Sequence, residues 1–344
     1  MATLNLQEAH DLVVRALTQS GANDAMAQAT ARGLVRADAQ GLASHGLSRV
    51  TQYATHLRNG RANGQAVPAV TKRKGGALVV DAQQGLAFAA CELAVQEAVN
   101  TAKTQGVCFV GVVNSHHCGV VVDHLRAAAS AGMVAIGFAN SPAAMPAAGG
   151  KHPIFGTNPV AAVFPRQGHD PLMIDLSLSE VARGKLMVAA KEGKSIPLGW
   201  ALDKDGNPTT DPKAGMEGSM LPFGTGDTSA LGSISSPKGS MLALMVELMV
   251  TAVIGAQFGY EASSFFVDEG NAPRIGQAFI VIDPGALAGS ESYFARMETI
   301  IAEMLVDDGV RLAGARRLAL ERKASVSGIT VPDTLKAQIE AFAA

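Results

Sequence analysis

The run Val107-Cys-Phe-Val-Gly-Val-Val113 contains no polar side chain. A strand with one wet face alternates apolar and polar residues, so an unbroken run must be covered on both sides. The same signature recurs at Met133 to Phe138 and Ala278 to Ile282, and more briefly at Val160 to Phe164 and Leu172 to Ile174. Ala77 to Asp81 reads as a further strand. Between them lie segments of helical period, Leu86 to Gln105 closed by Gly106 and Gly119 to Ser130 closed by Gly132. The alternation predicts an α/β fold whose sheet carries helices on both faces.

The chain begins differently. Leu12, Val13 and Leu17 before Gly21 fit one amphipathic helix, and Asn23 is placed to cap a second, Ala-rich helix toward Gly41. A third starts near Ser48, shows Val50, Tyr53 and Leu57 on one side, and ends at Asn59-Gly60. Farther on, Ser240 to Ala256 is strongly apolar but has Glu247 at its centre. A charge at mid-bilayer costs about 3 kcal/mol or more, so a buried core helix is expected there, not a membrane span. Thr225 to Pro237, rich in Gly and Ser, is expected to be a loop.

Composition narrows the function classes. Lys and Arg number 28 against 30 Asp and Glu, a net charge of −2, which excludes the basic surplus of a nucleic-acid-binding surface. Charged residues make up 17%, below the roughly 25% of a typical soluble chain, as expected when surface is hidden in a homo-oligomer. Cys91, Cys108 and Cys118 show no paired spacing, and the opening residues carry no secretion signal. Both features point to reduced thiols and a cytoplasmic location. A length of 344 residues accommodates about two domains of roughly 150 residues.

A Rossmann fingerprint is missing. The run Gly224-Thr-Gly-Asp-Thr-Ser229 follows Leu-Pro-Phe, not a strand, and lacks the third Gly. Chemistry must therefore come from polar islands in apolar surroundings. Asn114-Ser-His-His-Cys-Gly119 lies between a predicted strand and helix, where open sheets bind ligands. It reads as a helix cap with packed histidines, as a metal set of His116, His117, Cys118 and His124, or as a proton-transfer and cofactor site. The metal set suffers from His117 and His124 being two turns apart on one helix. Ser44-His-Gly-Leu-Ser-Arg49 joins a hydroxyl and an imidazole to an Arg suited to a carboxylate; a Ser cap with a solvated helical face is the alternative. Asn140-Ser141, Phe155-Gly-Thr-Asn-Pro159, Asp175-Leu-Ser-Leu-Ser179 and Pro237-Lys-Gly239 offer hydroxyls, amides and a Lys at a helix start. Together such groups can hold a pyrophosphate, although each alone also fits a turn.

In this order the islands resemble the type 2 malate/L-lactate dehydrogenases, nicotinamide-dependent oxidoreductases unrelated to the Rossmann enzymes. The carriers are Ser44-His-Gly46 with Arg49, His116-His-Cys-Gly119, Phe155 to Pro159, the run at Asp175, Lys238-Gly239, Gly276-Gln277 and Gly314-Ala-Arg-Arg317. The resemblance implies a three-layer non-Rossmann α/β sheet covered by helices, of sulfolactate dehydrogenase type, with a helical N-terminal region. It also implies a homodimer whose partner subunit helps complete the cleft. NAD or NADP is the implied cofactor, and a small anionic 2-oxo or 2-hydroxy acid the partner, without nucleic acid, membrane or metal. The chain is thereby divided into a helical region over 1–75 contributing substrate residues, a main lobe of 76–115 with 276–344, and a cofactor lobe of 116–275. Carried over by position, Ser44 with His45 supplies the proton, in competition with His117. Arg49 and Thr157 hold the substrate. His117, Gly119, Asn140, Ser141, Asn158, Asp175, Leu176, Ser177, Lys185, Lys238, Gly239, Gly314 and Arg316 line the cofactor.

Two departures from the family pattern matter. Leu221-Pro-Phe-Gly224 is separated from Lys238-Gly239 by an extra Gly/Ser-rich stretch, where the family commonly has one compact loop. Arg183-Gly184-Lys185 stands where the imine reductases resemble His-Gly-Asp, so Lys185 replaces their acidic relay. The expected activity is therefore hydride transfer between nicotinamide and C2 of a malate-, lactate-, sulfolactate- or ureidoglycolate-type acid. The alternatives are a cyclic-imine (pyrroline- or piperideine-2-carboxylate) reductase and a non-catalytic metabolite-binding protein.

Overall fold

The computed structural model describes residues 1–225 and 236–344, so the loop expected over Thr225 to Pro237 lies, apart from its ends, outside the described residues. A short strand, β1 (Ala2–Leu4), leads into α1 (Leu6–Gln19), α2 (Asp24–Ala39) and, after two single 3-10 turns, α3 (Val50–Arg58). Asn5 and Asn23 cap the first two helices, each accepting from the backbone N–H three residues on. The sheet-forming part runs β2 (Ala69–Lys74), β3 (Ala77–Asp81), α4 (Ala87–Gln105), β4 (Val107–Ser115), α5 (Val121–His124), α6 (Arg126–Ser130), β5 (Val134–Ala139), β6 (Val160–Arg166) and β7 (His169–Leu176). A small lobe of α7 (Arg183–Glu192), β8 (Ala201–Leu202), α8 (Pro212–Glu217) and β9 (Ser219–Met220) precedes α9 (Pro237–Val250). The chain returns to the sheet as β10 (Ile275–Ile282) and ends with α10 (Ser290–Met304), α11 (Ala315–Ser327), β11 (Ile329–Val331) and α12 (Asp333–Ala343).

The main sheet has seven strands in the order β2-β3-β4-β10-β5-β6-β7. Only β3 and β4 pair in parallel; the other neighbours are antiparallel. Strand β10 slots between β4 and β5, placing Phe279 opposite Val110 on one side and Gly137 on the other. Its alternate residues feed two cores. Phe279 and Val281 join the core under α4, α5 and α6, while Ala278 joins the core under α9. That is why the run is apolar throughout: both faces are covered. Burying Phe279 fully is worth roughly 2–3 kcal/mol. Glycines let the covering elements approach closely, since a Cβ on Gly111 would lie 2.5 Å from Ile254 and one on Gly137 2.9 Å from Val121. A third core holds α1, α2 and α3 together with β11 and α12.

Two expectations need correction. The helix expected over Gly119 to Ser130 starts only at Val121, because Gly119 takes φ +69, and it is split at Leu125 into α5 and α6. The segment from Ser240 is not wholly buried either. Helix α9 buries Ala243, Val246, Glu247 and Val250 but leaves Met241, Leu242, Leu244, Met245 and Leu248 exposed. On a helix with apolar residues all round, only one stripe can face a single neighbouring sheet. No described helix is long and apolar enough to cross a membrane.

Candidate active site

The two 3-10 turns between α2 and α3 carry Ser44, His45 and Arg49. Asp38, in the last turn of α2, fixes them by accepting the Leu47 N–H at 2.5 Å. Gly46 makes room for that carboxylate: a Cβ there would stand 2.1 Å from an Asp38 oxygen. Burial raises the Asp38 pKa to about 6, against the opposing pull of the Leu47 N–H. Within the loop, Ser44 Oγ lies 3.0 Å from His45 Nδ1, and Arg49 Nε donates to the Ser44 carbonyl at 2.7 Å. Arg49 Nη1 also donates to Gln52 Oε1 at 2.8 Å, and its guanidinium sits 5.0 Å from the Phe266 ring centre.

The end of β4 brings the histidine pair to this loop. The His117 ring stands 5.5 Å from that of His45, and its Nδ1 is 2.5 Å from the Tyr53 hydroxyl. Burial drives the Tyr53 pKa upward and the His117 pKa well below its ordinary value, with the Arg49 cation adding to the latter. The phenol stays protonated and the imidazole neutral; with the phenol donating, the His117 proton sits on Nε2. His45 is lowered to about 4, first by burial and then by Arg49. His116 faces away and is fully enclosed; its Nε2 shares a hydrogen bond with His56 at 2.9 Å. The buried amide of Gln277 pins this strand end, accepting from Ser115 Oγ at 2.7 Å and donating to the His116 carbonyl at 3.0 Å. A metal set of His116, His117, Cys118 and His124 is not assembled: the rings turn to His56, Tyr53 and the Cys118 carbonyl respectively. Among the described residues no group of three or more His, Cys, Asp or Glu is arranged for a metal ion.

A second group adjoins the first through Cys118, whose thiol is pushed up to about 12 by burial and by the Asp175 carboxylate. Asp175 bonds Arg317 at 3.3 Å; burial raises it to about 6 against the opposing Arg317 charge. Gly314, at φ +90, packs its Cα on Met173, where a Cβ would be 2.7 Å from the Met173 Cβ. The segment around Gly314, Arg316 and Arg317 is thus laid along β7. Ser177 Oγ is 3.1 Å from Ser179 Oγ, while Leu176 ends β7 half exposed. On the other side, Ser141 Oγ accepts the Thr157 N–H at 3.1 Å, and Gly156 fits against Ser141 where any Cβ would clash. Lys238 is exposed at the start of α9, and Gly239 N–H is capped by Ser236. Lys185 lies 5.8 Å over the Trp200 ring.

Asn140 and Asn158 sit differently from the cofactor role expected of them. Both side chains are buried and donate to Glu247, at 3.2 and 2.8 Å, and Glu247 also accepts the Gly259 N–H at 2.7 Å. They tie α9 to the ends of β5 and β6 and so bear on the site through the backbone they hold. Sequence inspection missed Asp38 and Gln277 as positioning groups, and saw Tyr53 only as part of an apolar helix face. The available signal in each case was a polar group in a segment that had to be buried, because such groups need partners.

The malate/L-lactate dehydrogenase family profile matches residues 4–340. The (2R)-3-sulfolactate dehydrogenase (NADP(+)) of Chromohalobacter salexigens is 44% identical over 99% of this chain and 98% of its own. A Δ1-pyrroline-2-carboxylate/Δ1-piperideine-2-carboxylate reductase of Pseudomonas aeruginosa is 34% identical over 99% of both chains. Among solved structures, sulfolactate dehydrogenase from Methanocaldococcus jannaschii superposes with a TM-score of 0.88 at 29% identity, covering 99% of this chain and 96% of that one.

Proposed function

The chain belongs to the malate/L-lactate dehydrogenase family of nicotinamide-dependent oxidoreductases, and from that premise we propose that it oxidises a small 2-hydroxy acid at C2, reversibly, with NADP. The observation that carries this reading is the convergence of Arg49, His45, Ser44 and His117 in one partly open cluster. Arg49 clamps the substrate carboxylate, with Thr157 as a further candidate contact. His45 takes the hydroxyl proton as the ketone forms and passes it to Ser44, which is exposed to solvent. His117, its Nδ1 held by Tyr53, offers a fixed N–H toward the same oxygen. A bound nicotinamide would supply the hydride acceptor for C2, and the hydride donor for the reverse reaction.

The residues present suit a phosphate-bearing cofactor. Lys238 and Arg316 have no carboxylate partner among the described residues, and Lys238 opens a helix whose N–H groups favour an anion. Gly119, Ser141, Asp175, Leu176, Ser177, Lys185, Gly239 and Gly314 are the further candidate contacts for such a cofactor. Lys185 also disfavours imine reduction, since it stands in place of an acidic relay. The three cysteines are free and buried, which suits a cytoplasmic enzyme. Assays of NADPH and NADH oxidation against pyruvate, oxaloacetate, sulfopyruvate and pyrroline-2-carboxylate test the reading. Turnover of at least one 2-oxo acid, faster than of the imine, is expected; imine turnover alone would overturn it.

The exposed stripe on α9 supports a homodimer. Met241 and Met245 are 61% and 47% exposed, beside Leu242, Leu244 and Leu248, and a patch of this kind on one helix calls for a partner. Light scattering is expected to give the mass of two chains for the native protein and one chain for the double variant Leu244→Asp, Met245→Asp. A native monomer would remove the dimer.

A further inference from the structure

Arg183 opens α7 with nothing to neutralise it. Its guanidinium lies 5.2 Å from the centre of the Phe266 ring, the same ring that carries Arg49 at 5.0 Å. Among the described residues neither Arg has a carboxylate partner, and the one hydrogen bond of Arg183 is a long 3.4 Å contact to the Met216 carbonyl. Burial disfavours the charge of both. The location is adverse in a second way. A cation in the first turn of a helix opposes the helix dipole, and α7 has no acidic residue there and no capping side chain. A residue placed only for stability at this point would be an acid or a cap. Arg183 is also close to the reacting groups: a Cβ on its neighbour Gly184 would be 3.9 Å from the Ser44 side chain.

We infer that Arg183 is the seat of a second anionic group on the substrate. The preferred acid is then a small dianion, a 2-hydroxy acid with a carboxylate or sulfonate on C3, held between Arg49 at one end and Arg183 at the other. This rests on the hydroxy-acid activity proposed above. Two unneutralised guanidiniums on one aromatic ring repel until anions arrive, and each supplies a planar fork suited to a carboxylate or a sulfonate. The uncapped N–H groups of α7 add to the same anion seat.

Steady-state kinetics with NADP and lactate, malate or 3-sulfolactate, on the native enzyme and on Arg183→Met and Arg183→Lys, test the assignment. The native enzyme should prefer the dianions to lactate. In Arg183→Met that preference, as a ratio of kcat/KM values, should fall about 50-fold, mostly through KM, as for a lost charge-assisted contact. Arg183→Lys should recover part of it. The carboxylate and sulfonate arms show which second anion the seat favours. A native preference for lactate, or equal losses on all three acids, would overturn the seat. Thermal stabilisation by malate and 3-sulfolactate is measured on the same proteins. Stabilisation that depends on Arg183 without turnover of any acid would support the seat and overturn the hydroxy-acid activity instead.

Discussion

Replacing Glu247 by leucine is expected to cost the fold about 3–5 kcal/mol, because three buried donors lose their acceptor at once. Asn140 Nδ2, Asn158 Nδ2 and the Gly259 N–H all point at this carboxylate, which is 2% exposed. Two of the donors keep a second bond, Asn140 to the Gln257 carbonyl and Asn158 to the Ala243 carbonyl, so the loss falls short of three full desolvation penalties. Exchanging a whole polar cluster for apolar residues is often nearly neutral, but here only the acceptor is removed and the donors stay. Glu247→Gln keeps one acceptor oxygen and should cost about 1–2 kcal/mol. Urea unfolding at neutral pH measures both. A leucine variant as stable as the native chain, with an unchanged denaturant slope, would mean that the three donors find other partners.

That cluster also marks the boundary of what was legible in the sequence. Val107 to Val113 and Ala278 to Ile282 announced buried strands because each is covered on both faces, a local consequence of burial. Helix limits were legible where a single residue enforces them, as Asn23 does by capping α2 and Gly106 does by ending α4 at φ +80. The insertion of β10 between β4 and β5 was not legible, since pairing partners far apart in sequence leave no local trace. Asn140 and Asn158 stood out as polar islands for a sound reason: something had to satisfy them. A sequence does not say whether the partner is a ligand or a buried carboxylate on a distant helix. Ser44, His45 and Arg49 lie within one short loop, so their clustering was legible, whereas His117, Tyr53, Phe266 and Arg183 reach the same place from four other elements. The outward stripe of α9 was misread as core because apolar residues all round a helix do not say which of them the neighbouring sheet covers.

Replacing Arg49 by methionine is expected to lower kcat/KM for hydroxy-acid oxidation by roughly 10²–10³, about 3–4 kcal/mol, the size of a lost two-point guanidinium–carboxylate contact in a partly buried site. Methionine keeps the length and the contact with Phe266, so the effect isolates the charge. The same substitution should move the acid limb of the pH profile. Oxidation needs His45 neutral, and its pKa of about 4 reflects burial first and the Arg49 cation second. In the native enzyme kcat/KM for oxidation should therefore hold level from neutral pH to near 5 and fall as the ring protonates below that. Without the Arg49 charge the protonated ring is less disfavoured, so the limb shifts to higher pH, with burial still holding it below the ordinary 6.5. His117 feels Arg49 too, so the shift alone does not choose between the rings. His45→Asn does: it should abolish the limb, while His117→Asn should slow turnover and keep it. A limb that survives in His45→Asn and disappears in His117→Asn would transfer the proton to His117 and leave Ser44 and His45 as positioning groups. Kinetics of Arg49→Met within threefold of native would remove the carboxylate clamp, and with it the orientation of C2 on which the hydride step depends.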